Sequence, residues 1–137
     1  MQNPSAGKTA LGMDIGIGVL ISYFGNLACG LPLGLVFCIL VIVQDKVNKV
    51  SRFHAFQSIF LGVASIILSI PLGIVFFIGG FIDVAIGLPV VTGILGLGVL
   101  VIILALLYFV VMAAIKGYGG QIYKIPIIGN FADKYSN

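Results

Sequence analysis

Long apolar blocks alternate with short charged zones along the chain. The apolar blocks cover residues 15–43, 56–82 and 90–115. A helix needs about 20 apolar residues to cross the hydrocarbon core of a bilayer. The second and third blocks therefore each predict one membrane-spanning helix, and Pro71 predicts a kink in the first of these two.

The first block is longer than one span requires. Its middle, residues 30–34, reads Gly-Leu-Pro-Leu-Gly, which is strong turn punctuation. We interpret the block as two helices joined by a tight turn, and one long Pro-kinked helix is the alternative. The predicted elements are helices at about 12–28, 32–44, 54–82 and 90–116, followed by an interfacial tail at 117–137.

Composition agrees with a bilayer as the solvent. Hydrophobic residues make up 61% of the 137 residues and charged residues 8%, whereas soluble domains carry about 25% charged residues. A chain this short has too little interior to hide that much apolar surface from water. We therefore expect a single integral membrane domain, 1–137, with an all-α fold: a polytopic four-helix bundle. No cleavable targeting segment is evident, so the first apolar run is expected to be a retained span.

The basic residues predict how the chain is oriented. With four spans, one side of the membrane receives every lysine and arginine: Lys8, Lys46, Lys49, Arg52, Lys116, Lys124 and Lys134. The positive-inside rule then places both termini on the cytoplasmic side. Three spans would leave Lys8 alone on the outside. The net charge of +3 comes without a basic patch interleaved with aromatics, so no nucleic acid is expected as a partner.

Small and polar residues recur at helical spacing on two predicted helices. The third helix carries a stripe three or four residues apart: His54, Ser58, Gly62, Ser65, Ser69 and Gly73. The first helix carries a stripe with every member four residues apart: Asp14, Gly18, Ser22 and Asn26. Such stripes let helix backbones approach closely, so helix packing is the favoured interpretation. A polar groove or conduction path between helices one and three is the alternative.

Asp14 is an intramembrane acid in this four-span arrangement. A charge there is costly, so it is normally paired or functional. Because His54 and Arg52 would lie at a similar depth, we predict that Asp14 pairs with one of them. His54 is interpreted as a residue that hydrogen-bonds a neighbouring helix, with a pH switch as the alternative.

Metal, cofactor and catalytic chemistry are not expected. The chain has one His, and Cys29 and Cys38 lack the spacing of a zinc site; both cysteines are interpreted as small buried hydrophobes. There is no nucleophile elbow and no phosphate loop. A single axial His ligand to a pigment is the one cofactor role that stays open.

Two stretches together resemble a known family. SRFHAFQS, residues 51–58, precedes a span, and YKIPIIGNFADKY, residues 123–135, follows the last one. The pair resembles the chloroplast import component "Tic twenty"-like family, including its prokaryotic MamF-like relatives in magnetosome membranes. The matching positions are Arg52, Phe53, His54, Ala55, Gln57 and Ser58 in the signature and Pro126, Gly129 and Ala132 in the C-terminal motif. The resemblance implies a four-helix membrane protein with both termini on one side, and it implies no catalytic residue.

The tail changes character after the last span. Tyr118, Tyr123 and Tyr135 alternate with lysines, a combination typical of the membrane–water interface. The run KIPIIG, residues 124–129, is too short to span, and we expect it to lie against the cytoplasmic ends of the bundle.

These features favour a non-enzymatic function. We expect a structural or accessory subunit of a larger assembly in a prokaryotic inner or internal membrane. Its expected partners are the lipid bilayer and either other membrane-protein subunits or further copies of this chain. A channel or protein-translocation component, with its path between helices one and three, is the alternative. An intramembrane enzyme is the third and weakest hypothesis.

Overall fold

The fold is helical throughout the part of the chain that can be described. The computed structural model describes residues 7–9, 11–28, 31–46 and 48–136, with side chains excepted at 26–28 and 31–33. It contains five helices: α1 (Ile15–Ala28), α2 (Leu31–Gln44), α3 (Lys49–Ile86), α4 (Val90–Tyr118) and α5 (Ile128–Ser136). Within those ranges there is no strand, only an isolated bridge between Lys8 and Asp14. The all-helical prediction is confirmed, whereas the four-helix bundle and the side of the termini stay predictions.

Helices α3 and α4 are long and apolar enough to cross a membrane. They have 38 and 29 residues, and their most apolar windows have mean hydropathies of 2.5 and 3.1. At about 1.5 Å per residue, α3 is longer than the hydrocarbon core of about 30 Å is thick. A membrane-spanning α3 would therefore extend beyond that core. The helix continues through Pro71.

Helices α1 and α2 are separate elements packed against each other. A Cβ atom at Gly25 would lie 3.5 Å from the Cα of Gly34, and the Cys38 thiol lies 3.8 Å from the carbonyl of Ser22. Positions that rise along α1 face positions that fall along α2, so the two helices are antiparallel. Each has 14 residues, or about 21 Å, which is shorter than the hydrocarbon core. Cys29 lies outside the described residues.

The chain divides into two compact units. The first combines the residues up to Gly62 with those from Phe109 onward, and the second runs from Val63 to Tyr108. The first unit contains the buried core, formed by Ile15, Val19, Tyr23, Val110, Ala113, Ala114 and Ile125. A smaller cluster in the same unit joins Cys38, Val41 and Ala55.

The second unit is a helical hairpin made from the ends of α3 and α4 that meet at its turn. The Asp83 carboxylate accepts the backbone N–H groups of Val91 and Thr92, at 2.7 and 2.9 Å, and also the Thr92 hydroxyl. It therefore satisfies free donors in the first turn of α4. Large apolar side chains cover the hairpin's surface; Phe77, for example, is 68% exposed. An apolar surface of this extent indicates contact with lipid or another protein.

The tail turns sharply before α5. Ile127 has a φ of +69°, and the N–H of Ile128 donates to the carbonyl of Pro126 at 2.8 Å. This geometry matches a γ-turn of the rare, strained kind. A β-branched residue with positive φ is an outlier, since its Cβ clashes with the backbone.

The strain predicts an unusual order of stability between two variants. We expect Ile127→Gly to be more stable than Ile127→Ala by about 1 kcal/mol, because a left-handed conformation costs an L residue about 1–2 kcal/mol and costs Gly nothing. Both variants remove every side-chain atom beyond Cβ. The difference between their unfolding free energies therefore reports the cost of the left-handed backbone conformation for a residue that has a Cβ. The measurement is unfolding of both proteins in the same detergent. At unstrained positions Ala is the more stable residue, and that order here would contradict the prediction.

Candidate functional site

The first turns of α3 hold a cluster of buried polar side chains. His54 and Gln57 are 0% exposed and Ser58 is 2% exposed. Buried polar groups are costly unless they are hydrogen-bonded. The partners of this cluster therefore show what these side chains do.

One set of partners lies on α1. Gln57 Nε2 donates to the Tyr23 hydroxyl at 2.7 Å, and that hydroxyl lies 3.0 Å from His54 Nδ1. The Ser58 hydroxyl donates to the backbone carbonyl of Ser22 at 2.6 Å. These bonds hold α3 directly against α1.

The other set of partners is the backbone of the tail. His54 Nε2 lies 3.0 Å from the carbonyl of Gln121. Gln57 Nε2 also donates to the carbonyl of Tyr123 at 3.2 Å, and Gln57 Oε1 accepts the N–H of Ile125 at 3.3 Å. Alternate residues thus present backbone groups to α3, as one edge of an extended segment does.

These bonds assign the tautomer of His54. The Gln121 carbonyl can only accept, so Nε2 must carry the proton. Nδ1 then accepts from the Tyr23 hydroxyl, which already accepts from Gln57. Every polar atom of the imidazole is satisfied with the ring neutral, and the cluster is a closed network in which no charge is buried.

Beside this network, glycine residues allow the helix backbones to pack very closely against their neighbours. A Cβ at Gly117, near the end of α4, would lie 2.5 Å from a Val19 methyl and 2.8 Å from His54 Nε2. A Cβ at Gly16 would lie 2.8 Å from the Tyr118 ring and 2.9 Å from its carbonyl. The α4 backbone therefore packs directly on α1 and on His54, and these positions require glycine.

The C-terminal motif forms the turn and the inner side of α5. Pro126 is exposed at the turn, whereas Gly129 and Ala132 are buried. A Cβ at Gly129 would lie 2.7 Å from the Cα of Lys124, so α5 folds back onto the segment before it. Asp133 on α5 pairs with Lys124 at 2.8 Å and with Lys49 of α3 at 3.6 Å. The tail thus lies against the start of α3.

The remaining members of the predicted signature divide between the two units. Phe53 is buried and meets the His54 ring edge-on at 5.3 Å, and Arg52 is half-buried. Gly62 ends the first unit's stretch of α3. Farther along the stripe, three positions are exposed in the second unit: Ser65, Ser69 and Gly73. The Ser69 hydroxyl donates to Ile66 of its own helix.

The predicted pairing of Asp14 with His54 or Arg52 is wrong. Asp14 is exposed and precedes α1, so its carboxylate lies at the surface. Among the described residues Asp14 forms no ion pair, and the partners of His54 are Tyr23 and Gln121. Tyr23 was missed as a functional residue because it lies within an apolar run. A buried tyrosine hydroxyl needs a partner, and that is the signal which could have identified it.

The cluster binds protein backbone and has no metal-site geometry in the described ranges. No group of three or more His, Cys, Asp or Glu side chains there could hold a metal ion. What the geometry provides is a fixed set of donors and acceptors that joins three distant segments: α1, the start of α3 and residues 121–125.

Comparison with known proteins identifies relatives over almost the whole chain. The model of the magnetosome magnetite crystal formation protein family matches residues 8–132. A protein of Methanocaldococcus jannaschii, named as a UPF0132 membrane protein, is 32% identical over 131 residues, which cover 95% of this chain and 96% of the relative. No solved structure matches. These findings agree with the MamF-like part of the resemblance, and the likeness to the wider "Tic twenty" family stays a prediction.

The close approach at Gly117 predicts a position-specific loss of stability. Gly117→Ala should lower the unfolding free energy by about 1–3 kcal/mol, because the added methyl overpacks a filled site. Gly98→Ala is the matched control on the same helix, since nothing lies within 4 Å of a Cβ there; it should be neutral or slightly stabilising. Thermal unfolding of both variants in one detergent tests this. Equal losses in the two variants would contradict it.

The Asp133 ion pairs predict how the tail responds to pH. Lys124 holds the pKa of Asp133 below its usual range, first by hydrogen bonding to the carboxylate and then by its charge, and Lys49 adds to this. Because the folded pKa is depressed, the stabilisation is present above the usual carboxyl pKa of about 3.9 and is lost as pH falls through the folded value. We expect the amide protection factors of α5, which correct for the slowing of intrinsic exchange at acidic pH, to fall at that acidic end. Asp133→Asn should remove the pH-dependent part, and an unchanged pH profile in that variant would contradict the assignment.

Proposed function

The chain belongs to the magnetosome magnetite crystal formation protein family, and we propose that it is a non-enzymatic structural or accessory subunit of a larger membrane assembly. A membrane location is supported by the name of the archaeal relative and by the two long apolar helices. We propose a prokaryotic inner or internal membrane as that location. Both termini are proposed to lie on its cytoplasmic side.

The observation that carries this proposal is that the polar cluster is occupied by the protein itself. His54 and Gln57 bind Tyr23 and the tail backbone through all of their ring and amide polar atoms. A substrate would have to displace those bonds before it could reach either side chain. A cluster whose polar atoms are all bonded within the protein stabilises a fixed arrangement of helices. That property suits a structural subunit.

The surface of the second unit supports the same function. Its hairpin exposes large apolar side chains along both helices, including Ile67 at 65% and Val101 at 66%. Helices embedded in lipid associate through close packing rather than through the hydrophobic effect. The exposed faces are therefore available to lipid and to neighbouring membrane proteins alike.

The alternative of a conduction path between α1 and α3 gains no support from their contact. The Ser58 hydroxyl bonds to the Ser22 carbonyl, and Tyr23 bonds to both His54 and Gln57. Of these residues, Ser22, His54 and Ser58 belong to the polar stripes between which such a path was expected, and each takes part in a bond across the contact.

The test is isolation of the tagged chain from its native membrane after in-membrane cross-linking and gentle detergent extraction. We expect stoichiometric co-purification of other membrane proteins, identified by mass spectrometry, in a complex of defined mass. A tagged unrelated membrane protein expressed at the same level is the control for adventitious capture. A solitary chain, or an oligomer of this chain alone, would contradict the accessory function, and the second result would favour the channel alternative.

A further inference from the structure

Helix α5 has its small residues inside and its large apolar residues outside. Gly129, Ala132 and Ser136 are buried. On the opposite side, Ile127 just before the helix is 76% exposed, Phe131 56% and Tyr135 52%. These last three residues, spaced four apart, are called the tail ridge below.

This arrangement is the reverse of that found in a surface helix of a soluble protein. A surface helix of a soluble protein turns its large apolar residues toward the core and its polar residues outward. In α5 the side that packs on the protein carries the small residues, which have the least apolar surface to bury. The tail ridge therefore needs an apolar environment outside the first unit.

The tail ridge continues onto α3. The Phe131 ring lies 6.4 Å from that of Phe60, and the Tyr135 ring lies 5.9 Å from Phe60 and 6.3 Å from Phe56. Phe56 and Phe60 belong to a helix long and apolar enough to span a membrane. The ridge and this part of α3 form one continuous aromatic surface.

Polar groups border the ridge along one side of α5. Asn130 and Lys134 are exposed beside it, and Lys134 Nζ lies 6.0 Å from the centre of the Tyr135 ring. Aromatic rings combined with lysine are typical of the level of the lipid headgroups. With nine residues, α5 is about 14 Å long, so it cannot cross the bilayer.

We propose that the tail ridge is a lipid-binding surface that lies in the boundary between headgroups and acyl chains, with α5 parallel to the membrane plane. Helices of this kind bury their apolar face about 5–10 Å into that boundary. Ile127, Phe131 and Tyr135 enter the acyl side, and Asn130 and Lys134 stay with the headgroups and water. The left-handed backbone at Ile127 turns the chain just ahead of α5, at the first position of this surface.

The absence of tryptophan from the sequence permits a clean test. Phe131→Trp puts the only indole of the full chain on the tail ridge, and Asn130→Trp puts it on the polar side of the same helix. Each variant is reconstituted into phosphatidylcholine–phosphatidylglycerol vesicles, with lipids brominated near the top of the acyl chain or near its end. We expect the indole emission of the Phe131→Trp variant to be blue-shifted and to lose more than half of its intensity with bromine near the top. Bromine at the chain ends should quench it less, and iodide in the water should quench it little.

The control variant Asn130→Trp should show the opposite result: its indole emission should be quenched strongly by iodide and weakly by brominated lipid. Ile127→Trp is the second ridge variant, for the case that Phe131→Trp does not fold, because Ile127 is the more exposed residue. Quenching of the ridge variants by iodide and not by bromine would place the ridge in water and overturn the proposal. Protection from both quenchers would place it against protein and would overturn it too.

Discussion

The first unit depends on a neutral hydrogen-bond network built on fully buried side chains. In a low-dielectric interior an unpaired polar atom is expensive and a paired one is stronger than in water. His54 and Gln57 are both fully buried, so their positions are determined by where their partners lie. Tyr23 on α1 and the backbone at 121–125 supply those partners. Three segments far apart in sequence must therefore pack together in the folded protein. If one of them is displaced, a buried polar group loses its hydrogen-bond partner.

The close glycine contacts follow from this network. Gly117 allows the α4 backbone to lie beside His54, and Gly16 allows α1 to lie beside Tyr118. A methyl group at either position would meet atoms less than 3 Å away, so the neighbouring segments would have to move apart. Packing and hydrogen bonding thus impose the same geometry, and neither is independent of the other.

Hydrophobic patterning was sufficient to predict the elements whose length and composition are extreme. The apolar blocks that predicted the two long spans correspond to α3 and α4. The first block contains the separate helices α1 and α2, and residues 31–34 of the predicted turn belong to α2. The helix α5 was missed, because nine residues of mixed polarity carry too short a pattern. The actual bounds of α3 extend beyond the predicted 54–82, since polar residues at a helix end are compatible with helix outside the hydrocarbon core.

The candidate site shows where single-sequence reasoning fails. His54 and Ser58 in the polar stripe were singled out from the sequence, but the partner of His54 was assigned by assumed depth in a bilayer. That assumption paired His54 with Asp14, whereas the aromatic Tyr23 on α1 is its partner. The tail partners could not be predicted at all, since backbone carbonyls at 121 and 123 carry no residue-specific signal. Side-chain chemistry therefore identifies the polar residue that needs a partner, whereas the fold determines which backbone groups become that partner.

The distance along the chain between partners has a consequence for biogenesis. His54 and Gln57 bind residues that follow them by 66–68 positions, and both long helices include stretches made in that interval. During synthesis the donors of α3 leave the ribosome well before their acceptors exist. The hairpin of residues 63–108 is therefore synthesised while the first unit is still incomplete. A nascent chain that ends before residue 121 lacks the tail partners of the His54 imidazole and the Gln57 amide, so the network closes only when synthesis is nearly finished.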